Sequence, residues 1–229
     1  MNKIILTVGT SVVVLAGVAW WFFSGNNPEQ PLEDTMTKDV AEAEIRIIAF
    51  GDSLTAGYGI PLRDAYPAQL ERALQDQGYD VAVVNSGVSG ETTRGNLERA
   101  EFIRSQEADV VLLGIGGNDA LRILDVKNTK ENISATIDIL QAGENPPTVL
   151  LLQMQAPLNA GTEFKTAFDS LYQDIATSKN IILVPFLTQD IFFVEGNKLS
   201  DGIHYNAIGY QKVVEQHILP AVIKILDNQ

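Results

Sequence analysis

From residue 45 to the C-terminus, short and almost wholly apolar runs alternate with longer segments whose apolar residues recur at helical spacing. The runs at 45–50, 80–85, 109–114, 148–153 and 181–185 are rich in Val, Ile and Leu and too short for helices, so they read as strands. Segments 65–77, 94–106, 130–142, 162–178 and 206–226 carry the helical period between and after them. Near-continuous apolar strands need cover on both faces, which parallel strands joined by right-handed helical crossovers obtain. The pattern therefore predicts an α/β fold, a three-layer α/β/α sandwich around a parallel sheet of about five strands. Pro220 is expected to kink or end the last helix.

Two N-terminal segments stand outside this alternation. Residues 1–23 hold one charged side chain, Lys3, followed by an apolar run over 4–23. Twenty residues at about 1.5 Å each would cross a hydrocarbon core of roughly 30 Å. The run reads as a signal anchor with Trp20 and Trp21 at the interface, or else as a signal peptide cut near Gly17-Val18-Ala19. Residues 24–44 carry Pro28, Pro31, six acidic residues and one lysine without any apolar period, which describes an acidic flexible tether. The expected order is thus leader (1–23), tether (24–44) and one folded domain (45–229), with that domain extracytoplasmic, anchored through 4–23 or secreted if the leader is cleaved.

Charge and composition narrow the function. The 229 residues carry a net charge of −13, which repels phosphate backbones, so nucleic-acid binding is excluded. With no cysteine, disulfides, thiol nucleophiles, zinc–thiolate sites and lipoprotein anchoring are excluded as well. No HExxH, P-loop or dinucleotide fingerprint occurs, and no metal or cofactor is implied. Any histidine base has to be His204 or His217.

In a parallel α/β fold the loops after the strands form the functional edge. Here they contain Gly51-Asp52-Ser53-Leu54 after the first strand, Ser86 to Glu91 after the second and Ile115 to Asp119 after the third, with Asp201-Gly202-Ile203-His204 beyond the fifth. A serine hydrolase needs a nucleophile, a base, a group that fixes the base's tautomer, and donors for the oxyanion. Ser53, His204 and Asp201 supply the first three. The Ser53 and Gly90 N–H groups and the Asn118 amide supply the donors.

At these positions the chain resembles the GDSL (SGNH) hydrolase family, through GDSL at 51–54, SGVSGET at 86–92, GGND at 116–119 and DGIH at 201–204. Four blocks in order are far more specific than one. The runs GDSLTAGYG and DGIH are most similar to the family's bacterial multifunctional acyl-CoA thioesterase I group, also known as lysophospholipase and arylesterase. The resemblance implies a flavodoxin-like sheet, Ser53 as nucleophile, Asp201 and His204 completing the triad, and an oxyanion hole from Ser53, Gly90 and Asn118. It also implies an acyl ester or thioester substrate. One departure is Tyr205, where that group usually has proline; it is expected to loosen His204 or to bring a hydroxyl near the leaving group.

His217 falls among Val213, Val214, Ile218 and Ala221 and reads as a packing residue. Asp52 and Asp119 read as turn or cap residues, and Glu91 and Thr92 as a helix start. Candidates for an acyl slot are Ile60, Leu62, Leu121, Ile123, Leu124, Met154, Pro157, Leu158 and the run 191–194, with Leu121 and Phe193 preferred. The expected function is hydrolysis of acyl esters and thioesters by a Ser-His-Asp mechanism. Alternatives are a carbohydrate O-acetylesterase on the same fold, or a catalytically silent envelope-binding protein.

Overall fold

Five strands, β1 (Ile45–Gly51), β2 (Val81–Gly87), β3 (Val110–Gly114), β4 (Thr148–Gln153) and β5 (Ile182–Pro185), pair in parallel in the order β2-β1-β3-β4-β5 in a computed structural model that describes residues 43–228. Each lies within two residues of its expected bounds, because burial on both faces demands the apolar runs that mark them. Ile47, Ile48, Leu112, Leu150 and Leu151 are wholly buried at the sheet's centre.

The helices are α1 (Ser53–Ala56), α2 (Tyr66–Asp76), α3 (Thr93–Arg104), α4 (Gly117–Leu121), α5 (Val126–Leu140), α6 (Thr162–Lys179), α7 (Ala207–Val213) and α8 (Leu219–Leu226). One layer packs α3 on α5 and α5 on α6; the other packs α2 on α7 and α8. The three-layer sandwich is thus present, with the strand order of a flavodoxin-like sheet. The apolar leader over 4–23 and most of the tether lie outside the described residues, and among those described no helix is long and apolar enough to cross a membrane.

Three helical features differ from the sequence expectation. α1 and α4 are too short to show a helical period, yet both begin at functional loops. α5 starts four residues early because Asp125 accepts a hydrogen bond from the Asn128 N–H (2.9 Å) and caps the first turn. Pro220 does not end the last helix: a π turn over Val214–Ile218 precedes it, and α8 carries Pro220 as its second residue. The backbone stays helical across this junction, and the irregular turn falls just before the residue that lacks an N–H.

Candidate active site

The side of the site that carries Ser53, the candidate nucleophile, is built from strand ends. Gly51 is in register with Gly87 on one neighbour and Gly114 on the other, so three glycines line the carboxyl edge where the strand order reverses between β1 and β3. A side chain at Gly51 would collide with Thr55 Oγ1 and the Gly114 carbonyl, and one at Gly87 with the Ala56 backbone nitrogen. This glycine row lets α1, which opens with Ser53, rest directly on the sheet. Asp52 caps α1 by accepting from the Leu54 N–H at 3.0 Å, and the Asn85 amide and Tyr210 hydroxyl donate to the Thr55 and Leu54 carbonyls (2.9 and 2.7 Å).

His204, the candidate base, arrives from the 21-residue connection between β5 and α7. His204 Nε2 lies 2.8 Å from Ser53 Oγ, and its Nδ1 lies 2.7 Å from Asp201 Oδ2. A neutral ring with its proton on Nδ1 satisfies both contacts: Nδ1–H donates to the carboxylate and Nε2 accepts from the serine hydroxyl. Asp201 Oδ1 also accepts from the N–H groups of Ile203 (2.9 Å) and His204 (3.1 Å). Partial burial pushes the Asp201 carboxyl up, but the bonds from the His204 ring and these two N–H groups outweigh it and hold it below the ordinary carboxylate range. The Tyr58 ring covers the imidazole with centroids 4.7 Å apart, a contact no motif reading anticipates. His217 belongs to the π turn and takes no part in this chain of contacts.

Gly90 adopts φ +82°, and its carbonyl accepts from the Arg122 guanidinium at 2.9 Å. Among the described residues, neither the Ser53 nor the Gly90 N–H meets an acceptor. Asn118, on the first turn of α4, donates to the Glu91 carbonyl at 3.0 Å and reaches Asp52 Oδ2 at 3.5 Å. The second-strand and third-strand loops are therefore tied by the groups from which donors were expected. Asp119 turns away, accepting from the Thr93 N–H (2.9 Å) and hydroxyl (2.6 Å). Thr92 directly precedes α3 without a side-chain capping bond, and Glu91 pairs with Arg99 at 2.5 Å.

Asp52 does more than cap. It is 1% exposed and lines the cleft that holds Ser53, Asn118 and His204. Burial pushes its carboxyl up to about 6, against the opposing pull of the Leu54 N–H, His204 and Asn118.

That cleft has a volume of about 280 Å³ and is walled by Leu121, Pro157, Leu158, Leu187, Phe192, Phe193 and Ile203. Leu121 and Phe193, the preferred candidates for an acyl slot, both line it. Met154 and Ile191 are instead core residues, and Ile60, Leu62, Ile123, Leu124 and Val194 are not in the lining. No motif marks Leu187 or Lys198, another lining residue, and Ile203 lies inside the DGIH block without being singled out by it; the position of Leu187 just past β5 is the other available signal.

Tyr205 corrects an expectation. It is fully buried, donates its hydroxyl to the Phe186 carbonyl at 2.7 Å, and packs against Phe186, Phe192 and Tyr210. The hydroxyl points into the core rather than toward a leaving group. The loop beneath His204 is fastened, with the Leu199 N–H donating to the His204 carbonyl (2.9 Å) and the Asn206 N–H to the Asn197 carbonyl (3.1 Å).

Comparisons with known proteins identify the family. The GDSL-like Lipase/Acylhydrolase family matches residues 49–212. Esterase TesA of Pseudomonas aeruginosa is 32% identical over 181 residues, covering 79% of this chain and 89% of that one. An arylesterase of Vibrio mimicus is 31% identical over 165 residues, covering 72% and 82%. The crystal structure of the psychrotrophic esterase EstA from Pseudoalteromonas sp., inhibited by monoethylphosphonate, superposes with a TM-score of 0.73 at 27% identity, covering 80% and 98%. Matches spanning most of the chain, on a sheet whose edge loops carry all four motifs, place this protein in the GDSL-like lipase/acylhydrolase family as an ester-hydrolysing enzyme.

Proposed function

We propose that this enzyme hydrolyses carboxylic esters and thioesters of acyl chains through Ser53, His204 and Asp201. The observation that carries the reading is the continuous contact from Asp201 Oδ2 through the His204 ring to Ser53 Oγ, opening on an apolar cleft. Ser53 Oγ attacks the acyl carbonyl while His204 Nε2 takes its proton. Asp201 keeps the other ring proton on Nδ1 and stabilises the imidazolium. The Ser53 and Gly90 N–H groups and the Asn118 amide receive the oxyanion. His204 then protonates the leaving alkoxide or thiolate, and water repeats the steps to free the acid and Ser53. Seven apolar walls suit an acyl chain larger than acetyl, which favours this reading over a carbohydrate O-acetylesterase.

The domain over 45–229 works outside the cytoplasm in this reading, delivered by the apolar segment 4–23 and held by it, or released after its cleavage. N-terminal sequencing of protein taken from the cell envelope distinguishes the two forms, and recovery of the full chain only from cytosol would overturn export.

Fluorophosphonate labelling tests the mechanism, since the EstA relative is inhibited by monoethylphosphonate. Ser53 is expected to be the modified residue, and Ser53→Ala to lose label and esterase activity together. Label elsewhere, or activity retained in Ser53→Ala, overturns the assignment. Across a p-nitrophenyl ester series, activity confined to acetate would favour the carbohydrate reading, and activity rising to about six carbons the acyl-chain one.

A further inference from the structure

Of the residues lining the cleft beside Ser53 and His204, Lys198 is the one lysine or arginine. Its Nζ stands 4.8 Å from the ring centroid of Phe192 and 5.4 Å from that of Phe193, both of which wall the same cleft. An antiparallel bridge pairs Lys198 with Tyr205, so its backbone is fixed next to the residue that follows the base. Lys130, Lys165 and Lys179 each hold an aspartate within 2.8 Å, whereas Lys198 has no carboxylate partner among the described residues. The aromatic faces attract the ammonium and remove water from one side of it without neutralising it. In a chain of net charge −13, whose overall field repels anions, a cation without a counter-ion inside the substrate cleft is a local exception.

We infer that Lys198 determines specificity by binding an anionic group on the substrate, and that the matching class is an ester whose acyl chain ends in a carboxylate. The acyl side follows from the rings: Phe192 and Phe193 belong to the apolar wall assigned to the acyl chain, and the ammonium stands on them. The methylenes of such a chain lie against the rings while its terminal carboxylate meets Nζ in a charge-assisted hydrogen bond. This inference rests on the serine-esterase reading above. A phosphate on the alcohol side carries the same kind of charge and is separated by the test.

The test compares kcat/KM within two pairs of esters. The first pair is the p-nitrophenyl monoester of glutaric acid against p-nitrophenyl pentanoate, which differ in the carboxylate at the chain end. The second is an acyl glycerol 3-phosphate against the same acyl glycerol. Lys198→Met keeps an apolar stem on the rings, and its first-pair ratio is expected to fall about tenfold relative to wild type. Lys198→Arg is expected to retain most of that ratio, and the second-pair ratio to be the same in Lys198→Met as in wild type. An unchanged first-pair ratio in Lys198→Met overturns the inference, and a fall confined to the phosphate pair overturns the acyl-side assignment. Pentanoate hydrolysis that survives Ser53→Ala would instead overturn the underlying mechanism, so the two failures are distinct.

Discussion

The two halves of the active site are built by different means. The nucleophile half stands on strand ends: three glycines in register seat α1 on the sheet, and Ser53, Gly90 and Asn118 each follow a strand within a few residues. The base half hangs on a 21-residue connection without strand or helix, fastened by the Tyr205 hydroxyl, by Asn197 and Asn206, and by backbone bonds at Leu199 and Asn206. In the first half, position comes from main-chain hydrogen bonding in a buried sheet. In the second it comes from side chains filling specific holes. A substitution should therefore act mainly through sterics in one half and through loss of particular contacts in the other.

The largest expected effect probes the base half. Asp201→Asn keeps the side chain's shape but favours the wrong ring tautomer of His204, so kcat/KM on a p-nitrophenyl ester should drop roughly 10³- to 10⁴-fold. A loss below tenfold would mean that Asp201 does not set the tautomer.

Next, Gly87→Ala should destabilise the fold by about 3 kcal/mol in denaturant unfolding, because its Cβ would meet the backbone of α1. The contrasting change is Gly202→Ala in the base loop, where φ is +75° and nothing lies within 4 Å of the new carbon. Only backbone strain of about 1 kcal/mol is expected there. Equal losses at the two sites would erase the proposed difference between the halves.

Asp52 lies where the halves meet, with His204 and Asn118 drawing its carboxyl down and Asp119 and burial pushing it up. A carboxyl raised from 3.8 to about 6 prefers its proton in the folded state, so the fold is favoured below pH 4 and loses stability as pH rises toward 6. The loss amounts to about 3 kcal/mol and is complete above pH 6. Asp52→Asn should lack this decline, since an amide oxygen still accepts from Leu54 while carrying no charge. Unfolding free energies at pH 4 and pH 7.5 check it; parallel declines in both proteins would show that another group is responsible.

A small effect is expected for Tyr205→Phe. Removing the bond to the Phe186 carbonyl should lower stability by about 1 to 2 kcal/mol, since a buried acceptor is left unpaired. Burial raises the Tyr205 hydroxyl well above its ordinary range, so it remains a donor at any working pH and the loss should not vary with pH. A pH-dependent loss would argue for a different partner.

Five strands, their parallel arrangement and the order of the four motifs were legible in the sequence, because a doubly covered strand needs an unbroken apolar run and because each motif directly follows one or lies beyond the last. Ser53, Asn118 and His204 could be named as candidates for the same reason. The helices α1 and α4 escaped notice, being shorter than the period that reveals a helix. Leu187 and Lys198 were illegible as cleft residues because nothing local distinguishes a leucine and a lysine in a loop from their ordinary counterparts, and Asp52 and Tyr58, though inside the GDSLTAGYG run, gave no local sign of their interactions with His204. What the sequence by itself determined is which chemistry the chain carries, through residue types held at short spacing. Only the tertiary structure decided that 151 positions separating Ser53 from His204 close to 2.8 Å, that Tyr205 faces the core, and that a lysine with no carboxylate partner among the described residues stands over two rings in the cleft. Those outcomes depend on long-range packing around a loop, which no local pattern encodes.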